Sequence, residues 1–170
     1  MGPEVRIGVV LLVSLGAGLW DWQLRKIPNW LSLAGIVAGF LLNDWRFALG
    51  GLGLALAIHL PLFALRATGG GDVKLMAALG ALLGFEQWLR VFLISAVLGG
   101  VVALALVLWR GVAGETMKRV WFVLRSLGRG VAPYREKAEL DVSSGLGHSL
   151  PRGVVVAMAV LVWLAYGASL

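Results

Sequence analysis

Gly69-Gly70-Gly71-Asp72-Val73-Lys74 places a carboxylate between two apolar stretches. A second aspartate, Asp21, closes the first apolar stretch of the chain. Two hydrophobic segments separate them, so a chain that crosses a bilayer twice between the two acids brings both to the same side. Ionisable groups at membrane depth are costly and mark functional positions. The reading of the whole chain follows from this pair.

Composition supports the membrane reading. Of 170 residues, 59% are hydrophobic and 14% are charged, with a mean hydropathy of +0.88. Soluble domains carry about 45–50% apolar and about 25% charged residues. The pattern predicts an all-α, polytopic membrane protein forming a single domain over 1–170. Six spans are expected, at about 5–20, 27–42, 47–65, 72–88, 89–109 and 152–169. Span 4 has only Leu75–Phe85 as an uncharged apolar run, and a crossing takes about 20 residues. That helix therefore has to begin near Asp72.

Charge sets the expected orientation. With the loop after span 1 inside, twelve Lys and Arg residues fall on the inner side and three, Arg6, Arg46 and Arg90, on the outer side. This is a positive-inside bias. It places both termini outside and Asp21 and Asp72 at the cytoplasmic face. Trp20, Trp22, Trp30, Trp109 and Trp121 fall at the inner boundary, and Trp45 and Trp88 at the outer one, as interfacial belts do. The net charge of +6 reads as cytoplasmic flanks meeting anionic lipid, not as a nucleic-acid surface. Residues 110–151 form the polar segment between spans 5 and 6. Met117, Val120, Leu124 and Leu127, set among Lys118, Arg119, Arg125 and Arg129, read as a basic amphipathic helix on the cytoplasmic membrane surface. Gly35 and Gly39, Gly51 and Ala55, and Gly80 and Gly84 are small-residue pairs at helical spacing that let helices approach closely.

Each acid has a plain structural reading. Asp72 at a helix N-terminus gains from the dipole, and Asp21 lies four residues before Arg25, a helical ion-pair spacing. Together they are more informative. They are the only acidic residues at the inner boundary among the first five spans. Three glycines ahead of Asp72 strip side chains from its approach, so backbone can come close. Two carboxylates brought together share a proton; the ionised one takes a proton from water and the protonated one polarises a carbonyl. That is aspartic-protease chemistry. The sequence has no cysteine and two histidines, His59 and His148, which argues against thiol catalysis and against a His- or Cys-ligated metal. No metal or cofactor is called for. His59, within span 3, reads as an interhelical hydrogen-bond partner. Lys74 reads as a topology charge or as an attractor of an acidic substrate side chain.

Three stretches resemble the type IV prepilin peptidases. Asp21-Trp-Gln-Leu-Arg-Lys-Ile-Pro-Asn29 is similar to their first aspartate motif. Gly69-Gly-Gly-Asp-Val-Lys-Leu75, with Ala77-Ala78-Leu79-Gly80, is similar to their second, of the form Gly-x-Gly-Asp. Leu150-Pro151 with Gly153 is similar to the Pro-Gly segment opening their last helix. The resemblance implies an inner-membrane aspartic endopeptidase that removes the short basic leader from type IV prepilins and pseudopilins at the cytoplasmic face. Asp21 and Asp72 would be catalytic. Gly69, Gly70, Gly71, Lys74, Pro28, Asn29 and Pro151 would shape the site. The partners implied are the prepilin leader with its apolar helix and membrane lipid. Bifunctional members also methylate the new N-terminus through a cysteine-rich loop that this sequence lacks, so no methyltransferase activity is expected; the chain resembles the short form of Flp-type tight-adherence pili or of archaeal preflagellin processing. Arg152 stands where an aromatic residue is common in that family. The competing readings are a presenilin-like or signal-peptide-peptidase-like protease, which also uses Gly-x-Gly-Asp but on adjacent helices, and a small transporter with Gly69–Gly71 as a broken helix.

Overall fold

A computed structural model describes residues 3–24, 26–65, 68–109, 111, 114, 121, 125 and 152–167. Among these the chain is all helical: α1 (Pro3–Leu24), α2 (Asn29–Leu42), α3 (Trp45–Ala64), α4 (Gly70–Trp109) and α5 (Arg152–Gly167). Apart from 111, 114, 121 and 125, the segment 110–151 with its expected amphipathic helix, Pro151 included, lies outside the described residues. α1, α3 and α4 are long and apolar enough to cross a membrane, and α2 and α5 are shorter apolar helices.

α4 is not one rod. Gly84 interrupts it at φ 71° and ψ −176°, a backbone region that glycine enters without a Cβ penalty. The indole of Trp88 donates to the carbonyl of Met76 at 2.9 Å. Along a straight helix those residues would stand about 18 Å apart. The chain therefore folds back at Gly84 into a limb over 70–83 and a returning limb over 85–109. The sequence expectation put this boundary at 88/89; the polar Glu86-Gln87 pair marks the neighbourhood, but the backbone reverses at the glycine before it. Trp88 is correspondingly corrected. It is fully buried in the core, stacked on Phe92, and does not face an outer interface.

The reversal leaves the last carbonyls of the first limb without partners in their own helix. Asn43, just after α2, supplies them: its amide nitrogen donates to Ala81 and Leu82 at 3.3 and 3.2 Å and also to Gly39 at 3.0 Å. Arg6 in α1 donates to the Asn43 side-chain oxygen at 3.3 Å. One asparagine thus ties three helices at the end of the bundle that carries Gly84. On α3, Asp44 caps the start by accepting from the Arg46 amide at 2.8 Å.

The first limb of α4 is the centre of the molecule. Its residues from Val73 through Gly84, other than the exposed Lys74, are buried, and α1, α2, α3 and α5 surround it. Small residues make this possible. A Cβ on Gly51 would strike the carbonyl oxygen of Gly80, and one on Gly80 would lie 2.5 Å from the carbonyl oxygen of Gly51. A Cβ on Gly39 would lie 2.6 Å from that of Ala81, and one on Gly35 would lie 3.0 Å from that of Ala78. The paired small residues of α2 and α3 are therefore packing positions. Gly84 departs from that reading, because it is the turn and a Cβ there would also strike the Phe47 ring.

These contacts predict a contrast. Gly80→Ala should destabilise the folded protein by about 1–3 kcal/mol through overpacking. Gly53→Ala, inside α3 where nothing lies within 4 Å, should hold stability or raise it by up to about 1 kcal/mol through helix propensity. Thermal unfolding in detergent measures both, and equal midpoints for the two variants would refute the backbone contact of α3 with α4.

Candidate active site

Asp21 lies in the last turn of α1 and Asp72 in the first turn of α4. The two turns sit at the same end of the bundle, because both side chains reach the start of α5. The amide of Gly153 donates to Asp21 Oδ2 at 2.7 Å. The guanidinium of Arg152 contacts Asp72 Oδ2 at 3.2 Å as an ion pair. Consecutive residues thus hold carboxylates that are 51 positions apart in sequence (21 and 72). The Gly153 amide is among the first N–H groups of α5, which have no acceptor within their own helix. A carboxylate there satisfies a donor and meets the positive end of the helix dipole.

The burial of the ion pair is uneven. The Asp72 side chain is 17% exposed and that of Arg152 is 45% exposed. The carboxylate sits inside and the cation reaches it from the rim. The i+4 pairing of Asp21 with Arg25 lies outside the described residues; the described bond of Asp21 is to Gly153.

Asp72 lines an open cavity of about 340 Å³ bordered by α3, both limbs of α4 and α5. Its polar margin comprises His59, Thr68, Asp72, Ser95 and Arg152. Met76, Phe92, Ala96, Gly99, Val155 and Val156 form an apolar wall. Thr68 carries a buried hydroxyl oxygen with no hydrogen-bond partner among the described residues. The return of the chain at Gly84 creates this chamber, since it brings 92–103 back beside 72–76.

The other sequence-selected residues fall nearby but do different things. Lys74 donates to Asn29 Oδ1 at 2.8 Å, joining the α2 start to the α4 start. Pro28 occupies the position before α2, with φ −62° and ψ 136°, and so sets the turn that presents Asn29. Gly69, Gly70 and Gly71 are not forced by packing. A Cβ on Gly69 meets nothing, and on Gly70 or Gly71 only ordinary contacts at 3.5 Å with Phe63 or Ile27. They leave open backbone beside Asp72. His59 is buried, but its Nδ1 pairs with the Ala55 carbonyl of its own helix at 3.0 Å, and its ring meets Trp88 and Phe92 edge-on. The interhelical hydrogen bond expected for it is replaced by aromatic contacts.

Two site residues were not assigned roles by sequence reasoning, Arg152 and Gly153. A signal was present: Gly153 belongs to the third motif, and Arg152 is the departure within it. Neither the pairing with Asp72 nor that with Asp21 follows from spacing, because the partners are 80 and 132 positions apart.

Comparison with known proteins agrees with the motif reading. Residues 8–104 match the model of the Type IV leader peptidase family. Two prepilin leader peptidase/N-methyltransferases, from Burkholderia pseudomallei strains 1026b and K96243, are each 38% identical to the chain over 104 residues. The alignment covers 54% of this chain and 33% of each relative, so the chain is matched to about a third of their length. No solved structure matches. With two aspartates at one end of an apolar helical bundle, and with the match embracing both of them, the chain is a member of the type IV leader peptidase family.

Proposed function

We propose that this protein is a membrane aspartic endopeptidase that removes the short basic leader of type IV prepilins or pseudopilins at the cytoplasmic face of the inner membrane. The observation that carries the reading is the convergence of Asp21 and Asp72 on Arg152-Gly153, with Asp72 and Arg152 lining the cavity. Family membership and the name of the relatives support the substrate class. The excess of Lys and Arg at the end holding both acids supports the orientation.

In this mechanism one aspartate is ionised and takes a proton from water as the oxygen attacks the scissile carbonyl. The other is protonated, donates to the carbonyl oxygen and stabilises the tetrahedral intermediate. Collapse of the intermediate breaks the C–N bond. The amine leaves with a proton from the carboxyl that received one from water, which returns the pair to its starting charge. The open backbone at Gly69–Gly71 gives an extended leader room to lie beside Asp72. The apolar wall of the cavity suits side chains from the start of the substrate's helix. Lys74 and Asn29, tied together, hold the α2 and α4 starts at fixed separation around that path. Six apolar segments cross the membrane in this reading, α4 contributing two through its reversal.

Asp21→Asn and Asp72→Asn should each lower cleavage of a co-expressed prepilin by roughly 10²–10⁴-fold, the usual worth of a positioned acid or base. Immunoblots that separate precursor from mature pilin read the outcome, and wild-type processing by either variant would sink the two-aspartate mechanism.

The orientation has its own test. The chain has no cysteine, so Lys26→Cys in the exposed connection before α2 creates a unique thiol. In intact cells a membrane-impermeant maleimide should leave it unlabelled, and in inverted membrane vesicles it should label it. Labelling of intact cells would place the acids on the wrong face.

A further inference from the structure

Asp21 and Asp72 come from different helices, and like charges repel when drawn together. Something must hold them at a working separation. α5 is the element that touches both. Its Gly153 amide takes Asp21 at 2.7 Å and its Arg152 guanidinium takes Asp72 at 3.2 Å. One peptide unit therefore links the anchors of the two carboxylates.

The approach of α5 to α1 is set by absent side chains. A Cβ on Gly153 would lie 2.8 Å from Asp21 Cβ, 3.1 Å from Asp21 Oδ2 and 3.1 Å from the Ala17 carbonyl oxygen. Across the same seam, a Cβ on Gly18 would lie 3.1 Å from Ala157 Cβ and 3.3 Å from the Gly153 carbonyl oxygen. Ala17 and Ala157 are buried between the helices. With both glycines in place the backbones meet closely enough for an amide of α5 to reach a carboxylate of α1. Adding one methyl group at 153 pushes against the atoms that carry Asp21, and it moves the hydrogen-bond donor away from its acceptor.

The charges point the same way. Asp21 receives the positive end of α5, and Asp72 receives a full cation. Each acid has its own compensating group, which lessens the repulsion that would splay α1 from α4.

We propose that the first turn of α5 spaces and charge-compensates the aspartate pair, with Gly153 positioning Asp21 through its amide and Arg152 positioning Asp72 through its guanidinium. The proposal rests on the peptidase reading for its consequence in catalysis, but not for its geometry. Arg152 and Gly153 are positioning residues: they act on the carboxylates, and the carboxylates act on the substrate.

The test uses the full chain in detergent and has two arms. In the first, the substrate is a fusion with a basic leader ending in glycine ahead of an apolar helix. Gly153→Ala should lower kcat by about a hundredfold, the loss that a misplacement near 1 Å can cause. Arg152→Gln should lower kcat by about tenfold, the charge-assisted contact to Asp72 being at stake. In both variants KM should stay within about threefold, because the interaction lost acts on the reacting groups and not on uniform binding. Arg152→Lys, which keeps a cation beside Asp72, should recover most of the rate. Wild-type kcat in Arg152→Gln would overturn the role of Arg152, and a faster enzyme would make the ion pair an inhibitory latch, which also overturns it.

The second arm needs no substrate. The variant Trp22→Cys with Gly69→Cys, which keeps both carboxylates and places thiols beside them at an exposed position and at one with open space for a side chain, should be cross-linked by a bifunctional thiol reagent. Adding Gly153→Ala should lower the cross-linking rate about tenfold if the two sites separate. Equal rates would overturn the spacing role. Matching thermal midpoints with and without Gly153→Ala establish that the comparison is made between folded proteins, and Arg152→Gln, on the exposed rim, supplies the second variant if Gly153→Ala does not fold. Failure of the wild-type chain to cleave the fusion would count against the peptidase reading and leave the cross-linking result to decide the geometry.

Discussion

Carboxylates drawn to the start of one helix are the interaction on which the site depends. α5 has free N–H groups at its first turn because every α-helix does. In this protein one of them is met by Asp21, and the side chain of the residue before it is met by Asp72. The amide satisfies itself and fixes an acid. The arginine offsets a carboxylate that packing has pulled into the interior. Burying either acid alone at a bundle end would be expensive, since an unpaired charge away from water loses its solvation. The anchoring and the burial therefore depend on each other: the acids can be inside because α5 meets them, and α5 is held against α1 and α4 in part because the acids are there.

The packing beneath the site serves the same arrangement. The first limb of α4 has neighbours on all sides and cannot carry bulk where Gly80 meets Gly51. Its direction is fixed by those contacts, and Asp72 stands at its start. Its far end stops at Gly84, where the left-handed backbone turns the chain and Asn43 takes up the terminal carbonyls. The returning limb then borders the cavity beside Asp72. A bend some twelve residues from the acid thus determines the shape of the space the acid faces. Trp88 locks the bend by donating to Met76 across it, which also satisfies an indole N–H that its full burial would otherwise strand.

Much of this was legible in the sequence, for stated physical reasons. Apolar runs of helical length give helices whatever their neighbours, so the six expected segments correspond to described helical stretches, with ends shifted by a few residues. The need for α4 to begin by Asp72 followed from its short uncharged run, and the helix starts at Gly70. Asp21 and Asp72 were singled out by their cost, and the two do lie at one end of the bundle. The reversal at Gly84 was displaced because hydropathy registers the polar Glu86-Gln87, whereas the backbone turns where a Cβ is absent. Trp88 was misplaced for a related reason: a tryptophan near a polar pair looks interfacial, and only the fold back onto Met76 buries it. His59 was expected to bond across helices, but a nitrogen facing its own Ala55 carbonyl was the nearer partner.

Arg152 and Gly153 show where sequence reasoning stops. Each is unremarkable by type, a rim arginine and a glycine in a chain of 24 glycines. Their roles come from register, that is, from which turn of α5 faces which turn of α1 and α4. Register is set by Gly18, Ala17 and Ala157, where one methyl group more would shift it. The motifs therefore carry different kinds of information. The aspartates are visible by their chemistry because charge in an apolar chain stands out. The last motif is visible only by its geometry, since its glycine works through the space it leaves and the donor it exposes. In the proposed mechanism, a site assembled from two acids and a helix start is better described as three elements than as a pair of residues: the acids would supply the chemistry, and the third would set the distance at which that chemistry can occur.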